Sequence, residues 1–488
     1  MNRFAPLVVL VASCATIAPR ASAAAESAEA VELIRAGRFA READQAAGAP
    51  GGSGAWAVWT PEVEANACAV RWTDEGLRVE APGRPWAVGG VYQDVAGIAP
   101  GKAYAVEVDG DCEGIESPMR SVLVRVLWTA RGNPLHPAGV YARLADDASL
   151  AGDASPRADG APAVRFRDVL VAPEGADGAR VSLEVKWPRG GAVVFRRASL
   201  TACDPPPPRK VKIGTVYLRP RNSTPERNME LFLAKIDEAG RLGLDIVCLP
   251  EAMLQVGTRA TAAALAEPIP GPSTERLGRS ARENRLWVVA GLSERDGETV
   301  YNTAVLIDRQ GRLAGKYRKT HLPREEWQKG VAPGEDYPVF RTDFGTVAIQ
   351  ICYDWFFPEV HRLLALRGAE IIFAPTWGTT FPDRDGRAEG ETVFRVRARD
   401  NGVYLVPSVY DGSSMVIDPL GRILAKSDGE GVFWAEVDLN RREPLWWVGQ
   451  WGAIGPRDRM PETYGPLTAP AQPPRGASDP SADRSSGG

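Results

Sequence analysis

The chain has 488 residues, 44% of them hydrophobic and 25% charged, with a formal net charge of −4 at pH 7. That is an ordinary globular composition, long enough for two domains and tails. So small a net charge excludes a strongly basic nucleic-acid binder or a polybasic membrane-surface protein.

The N-terminus, MNRFAPLVVLVASCATIAPRASA, carries Arg3, an apolar core from Phe4 to Ala12, and a closing Ala21-Ser22-Ala23. This is the pattern of a secretory signal, residues 1–23, cleaved after Ala23 to give a secreted or periplasmic protein. A second reading stays open. Val11-Ala12-Ser13-Cys14 resembles the lipobox of bacterial lipoproteins, which would tether the chain through Cys14. No later segment is long and apolar enough to cross a membrane as a helix. Among the remaining cysteines, Cys68, Cys112 and Cys203 offer an exported protein one disulfide, with three pairings open and Cys68 to Cys112 preferred. Cys248, inside the apolar DIVCLP, reads as core filler.

Residues 24–55 are rich in Ala and Gly, and AEAVELIRAGRFAREA has helical spacing ahead of a Gly-Gly-Ser-Gly linker. From 56 to 203 the segments LRVEA, AYAVEVDG, SVLVRVLWTA, ARVSLEVKW and AVVFRRASLTA alternate apolar and polar residues between turn clusters. Short strands at this spacing predict an all-β sandwich. GIAPGKAYAVEVDG resembles jelly-roll modules of the carbohydrate-binding type, which implies a glycan partner for this domain.

DPPPPRK, residues 204–210, is a semi-rigid spacer and marks a domain boundary. After it, from 211 to 466, strands alternate with helices: VKIGTVYL, a helix over 226–242, DIVCLP, a helix over 273–284, then LWVVAGLSE and NTAVLID. This alternation predicts a layered α/β domain. Residues 467–488 are rich in Pro, Ser and Gly and are expected to be disordered.

Three apolar segments of the second domain each deliver one reactive side chain. GLDIVCLPEAML delivers Glu251, GRLAGKYRKTHLP delivers Lys319, and VAIQICYDWFFPE delivers Cys352 where a strand gives way to a helical pattern opened by Pro358. A thiol becomes a competent nucleophile when a base, a cation or a helix N-terminus stabilises the thiolate. A glutamate can be that base, and a lysine can stabilise an oxyanion on the substrate. The histidines, His136, His321 and His361, have no metal-binding spacing.

In this order, LPEAML, KYRKTHLP and ICYDWFFPEVHRLLALRGAEIIFAPT resemble the glutamate, lysine and cysteine motifs of the nitrilase (carbon–nitrogen hydrolase) superfamily. RARDNGVYLV, SSMVIDPLGRILA and RDRMPETY support the likeness, which runs from about residue 212 to 464. The resemblance implies an α–β–β–α sandwich behind the β domain, and a Glu251–Lys319–Cys352 triad that needs no metal or cofactor. It implies an oxyanion site at the Tyr353 N–H, a helix dipole near the thiolate, and an accessory glutamate. Spacing favours Glu326 over Glu325 for that glutamate, with the register open by one residue. Trp377 stands where family members line the substrate pocket, and a core position is its other reading. His321, Glu359 and Arg362 read as structural.

The resulting expectation is an exported thiol hydrolase cleaving a non-peptide C–N bond in a small amide or ureido compound, working as a homodimer. CYDWFFPE looks closer to the amidase and carbamoyl-hydrolase branches than to nitrile-cleaving relatives, which carry Trp-Glu after the nucleophile. Acyl transfer by the same triad, and a glycan-binding protein with an inactive hydrolase domain, are the rival readings. The chain departs from the family pattern between YLVPSVYD and GSSMVIDP, where Ser408 and a tight Asp411-Gly412 turn replace a longer loop.

Overall fold

The computed structural model describes residues 32–35, 37–39, 56–136, 139–144, 163–379, 389–442, 444–445, 449–450, 455 and 457–469. The signal segment, Cys14 and most of the C-terminal tail lie outside them. The described part of that tail opens in a short helix, Gly465–Thr468, which runs past the boundary expected at 466.

Two antiparallel sheets form the N-terminal domain. One orders Ala57–Trp59, Val88–Ala96, Gly178–Lys186, Val122–Ala130 and Asn133–Pro134; the other orders Ala69–Thr73, Gly76–Glu80, Ala192–Cys203, Ala103–Glu113 and Ala163–Val171. Period-two alternation puts Val106 and Val108 into the core and turns Glu107 and Asp109 outward. Val124, Val126, Phe166 and Phe195 fill the space between the sheets.

Two expectations for this domain are corrected. The disulfide is absent: Cys68 and Cys112 are free, buried thiols. Cys112 pairs with Val193, Val193 with Val79, and Val79 with Val70, two residues beyond Cys68. Three strand spacings, roughly 14 Å, separate the two positions, about twice what a disulfide spans. Burial pushes their thiols up to about 11 and about 12, so both are inert. The helix expected in 24–55 is also absent from residues 32–35 and 37–39. They form a strap, with Glu32 bridging to Thr201 and Arg38 to Arg197. Ile34 and Phe39 are buried beneath it. Gly37 passes so close to the Ala198 carbonyl that a Cβ would come within 2.2 Å. Tertiary burial here overrides helical spacing.

Lys210 opens the second domain. Its first sheet orders Leu313–Arg318, Thr299–Ile307, Trp287–Asp296, Ile246–Cys248, Lys210–Tyr217 and Gly431–Asp438. The second orders Val339–Arg341, Thr346–Ile349, Ile371–Gly378, Tyr404–Asp411, Met415–Ile417 and Ile423–Lys426. Ile213, Ile246, Cys248 and Val289 of the first meet Val347, Ile349, Phe373 and Val406 of the second.

Helices cover both outer faces, completing four α–β–β–α layers. Pro225–Arg241 starts on Thr224, whose side chain accepts the Arg227 N–H, and has Pro225 in its first turn. It buries Met229, Phe232, Ile236 and Ala239, three or four residues apart. Pro272–Asn284 packs beside it, while Pro358–Leu366 and Glu389–Asn401 cover the second sheet. Among the described residues no helix is long and apolar enough to cross a membrane.

The domains are pinned to each other. Arg442 donates two hydrogen bonds to Asp168, at 2.9 and 2.5 Å, and Arg120 reaches both oxygens of Glu462. Lys186 pairs with Asp458.

Candidate active site

Glu251 follows the buried strand Ile246–Cys248 and is 2% exposed. Two contacts fix its backbone. The Tyr410 hydroxyl donates to its carbonyl at 2.8 Å. Gly291 lies so close beneath that a Cβ there would stand 2.6 Å from the Glu251 Cα, so only glycine fits.

Lys319 ends the next hairpin, its backbone N–H bonded to the Asn302 carbonyl, and is 1% exposed. Its Nζ donates at 2.8 Å to Oε1 of Glu251 and at 2.8 Å to Oε1 of Glu326. Glu326 comes from the short helix Arg324–Trp327, whose phase turns it inward and leaves Glu325 exposed beside Arg324. Of the two glutamates the sequence left open, Glu326 is the one that meets Lys319. Asn302 Nδ2 donates to the same two oxygens, at 2.7 and 3.1 Å. The other oxygen of each glutamate, Oε2, is buried with no hydrogen-bond partner among the described residues.

Burial pulls Lys319 toward its neutral form, but Glu251, Cys352 and Glu326 outweigh it and raise its pKa. Glu326 is raised by burial and by Glu251, against the pull of Lys319.

Cys352 stands at the end of the strand Thr346–Ile349 with φ 41°, in the left-handed region that residues other than glycine seldom occupy. The helix expected to follow Cys352 directly does not begin there. A 3₁₀ turn, Cys352–Phe356, intervenes, and the α-helix begins at Pro358. What the turn supplies instead is its own opening N–H groups. Tyr353 is its second residue, ahead of the turn's i→i+3 ladder.

Asp354 holds this strained turn in place. It is fully buried, and its carboxylate accepts the Ile351 N–H at 2.9 Å, the Tyr317 hydroxyl at 2.8 Å, the Thr320 hydroxyl at 3.1 Å and the His321 N–H at 3.1 Å. One side chain thus ties the turn carrying Cys352 to the strand and loop carrying Lys319. His321 stacks on Phe357 at 3.8 Å and acts in this framework rather than in the pocket.

Burial, then Glu251, push the Cys352 thiol up to about 12, while Lys319 and the Trp377 backbone amide pull it down. The amide of Trp377 thus lies against the sulfur. Its ring packs edge-on to Tyr410 at 5.5 Å and stays 37% exposed, which fits a pocket rim better than a core. Arg219 pairs with Asp411 one residue beyond Tyr410, and the Thr379 N–H bonds the Asp411 carbonyl. The tight turn read at Asp411-Gly412 is present, with Gly412 at φ 124°.

Glu251, Lys319, Glu326 and Cys352 are thus brought together, with the Trp377 amide at the sulfur and Tyr353 next in the chain to Cys352. Reading the sequence missed Asn302, Tyr410 and the framework role of Asp354. Among the described residues no group of His, Cys, Asp and Glu side chains is placed to hold a metal ion.

The carbon-nitrogen hydrolase family pattern matches residues 212–445. A nitrilase of Pyrococcus abyssi is 34% identical over 246 residues, covering 47% of this chain and 90% of that protein. The deaminated glutathione amidase of Mus musculus is 31% identical over 273 residues, covering 49% and 84%. The crystal structure of Saccharomyces cerevisiae Nit3, of the nitrilase superfamily, is similar with 27% identity and a TM-score of 0.43, covering 47% of this chain and 90% of that one.

Proposed function

The chain belongs to the carbon–nitrogen hydrolase (nitrilase) superfamily and hydrolyses non-peptide C–N bonds, and from that premise we propose that it is an exported thiol hydrolase of small amides or N-carbamoyl compounds. The observation that carries the thiol mechanism is the division of labour within Glu251. Lys319 and Asn302 occupy Oε1, and Oε2 is left open beside a thiol held in its protonated form.

In this reading Glu251 takes the Cys352 proton as sulfur attacks the carbonyl carbon. The Lys319 ammonium and the Tyr353 N–H stabilise the oxyanion. Glu251 returns the proton to the departing amine, and a thioester forms on Cys352. Glu251 then takes a proton from water, which attacks the thioester and restores the thiol. Glu326 Oε2 accepts an N–H of the substrate amide, and Trp377 forms one side of the pocket mouth. Amides and N-carbamoyl compounds are preferred over nitriles, because each offers an N–H to Glu326 and a carbonyl oxygen to Lys319. The mature chain begins near Ala24, and the enzyme pairs as a homodimer.

Ammonia release from matched aliphatic amides, N-carbamoyl amines and nitriles at equal concentration is the test. Turnover of an amide or carbamoyl compound, lost in Cys352→Ala, is expected. Faster turnover of every nitrile would overturn the substrate class.

A further inference from the structure

The β-sandwich carries a cleft whose lining shares no residue with the hydrolase site and that the proposed chemistry does not use. The strands Val88–Ala96 and Gly178–Lys186 run antiparallel and end with Val88 opposite Lys186. Trp86 and Trp187 lie just beyond that end, one on each strand, with ring centres 6.1 Å apart and planes at 86°. The two indoles form an apolar corner.

Neither ring is placed as a core residue would be. Trp86 is 52% exposed. Trp187 has φ 53°, a conformation that bulky side chains rarely adopt. It is held there firmly: its N–H donates to the Ala87 carbonyl at 2.7 Å, and the Lys186 ammonium lies 4.9 Å from its ring centre. Backbone strain of this kind concentrates where a protein binds or reacts.

The corner opens on a cavity of about 580 Å³ whose other wall includes Glu116, Arg120, Arg189 and Glu462. That volume falls within the range of small-molecule sites, about 300–1,000 Å³. Arg120 holds both oxygens of Glu462 at 3.1 Å, so the rim is fixed by the C-terminal segment. Two acids face two bases, and the wall has no net charge to select an anion or a cation.

We propose that this cleft binds a neutral saccharide. A pyranose has an apolar C–H face to lay against an indole and a hydroxyl edge to exchange hydrogen bonds with Arg189 and Glu116. An apolar ligand would desolvate the charged wall without pairing it. A uronate or phosphate would require a net positive wall. A proline-rich peptide matches the indoles but offers few donors to the glutamates. The site gives the glycan expected of this domain a location, and it stands independently of the hydrolase reading because its readout is binding alone.

The test is native affinity electrophoresis of the full chain in gels containing laminarin, xylan, galactomannan or polygalacturonate, with a proline-rich peptide titrated by tryptophan fluorescence. Retardation by at least one neutral polysaccharide is expected, weakened tenfold or more in Trp86→Ala with an unchanged unfolding temperature. Trp187→Phe, which keeps an aromatic ring, should bind with intermediate strength. No retardation by any neutral polysaccharide, binding of polygalacturonate or the peptide alone, or undiminished binding by Trp86→Ala would each overturn the proposal.

Discussion

Glu251 and Glu326 are tied together twice, for Lys319 Nζ donates to Oε1 of each at 2.8 Å and Asn302 Nδ2 donates to the same two atoms at 2.7 and 3.1 Å. Two carboxylates this close, one buried and one half-buried, repel, and one ammonium cannot by itself fix both orientations. Asn302 is the neutral second clamp. Asn302→Ala is expected to lower kcat by about 10²-fold, the scale of losing one preorganised donor. Asn302→Asp should cost more, because it adds a third carboxylate. Steady-state kinetics check this, with KM moving less than kcat if the residue positions the glutamates rather than the substrate.

The thiol itself gives a prediction with opposite signs in two assays. Burial and then Glu251 raise the Cys352 pKa to about 12. Removing the glutamate charge in Glu251→Gln relieves the second cause and leaves the pull of Lys319. Iodoacetamide should then alkylate Cys352 faster at pH 9 than in the parent protein, while turnover nearly vanishes for want of a base. Mass spectrometry of the labelled peptide measures it. Slower alkylation together with lost turnover would show that Glu251 does not depress thiolate formation. Cys352→Ala should lose all turnover.

Asp354 predicts a stability effect coupled to activity. Asp354→Ala removes the acceptor of four donors, the buried Ile351 N–H and Tyr317 hydroxyl and the half-buried Thr320 hydroxyl and His321 N–H, and a loss of roughly 2–4 kcal/mol is expected. Asp354→Asn keeps an acceptor and should lose roughly half of that. Urea unfolding compares the two, and both variants should lower kcat because Lys319 and Cys352 lose their common anchor.

Glu294 predicts a pH dependence. It is buried, and although burial raises its pKa, Arg318, Lys316 and Thr303 together bring it down to about 2. A carboxylate lowered in the folded state stabilises the fold above its unfolded pKa, roughly 4.3, and loses that contribution as pH falls toward the folded value. Glu294→Gln is therefore expected to cost up to about 3 kcal/mol at pH 7, with the gap closing between about pH 4.5 and 2. Thermal unfolding across that range tests it.

A chain beginning at Arg209 is expected to keep hydrolysing small amides, since every residue of the proposed machinery lies beyond that point. It should unfold at a lower temperature than the full chain. Arg442 would lose Asp168, and Glu462 would lose Arg120. A folded but inactive truncated chain would mean that the sandwich completes the site.

The residues readable from sequence were those whose chemistry and setting coincide. Glu251, Lys319 and Cys352 each end or follow an apolar segment, so the segment boundary marked them. Asn302 sits mid-strand in NTAVLID, where nothing local separates a site residue from an ordinary polar position. Its meaning comes from Glu251, 51 residues earlier, and Glu326, 24 later. Glu326 differs from Glu325 only in helix phase, which spacing alone left open. The strap of residues 32–35 and 37–39 misled for a similar reason. Its periodicity is helical, but Glu32 finds the Leu200 N–H and the Ser199 hydroxyl, 168 and 167 residues away.

The ion pairs that pin the two domains also bear on how the protein is made. Asp168 precedes Arg442 by 274 positions, and Arg120 precedes Glu462 by 342. In a chain that folds from its N-terminus as it emerges, the sandwich is complete before residues 442 and 462 are available to it. During that interval Asp168 faces water, and the rim that Glu462 will close around Trp86 and Trp187 stands open. The finished junction is therefore a late product of folding. A chain truncated before residue 442 would display a sandwich whose docking face is bare.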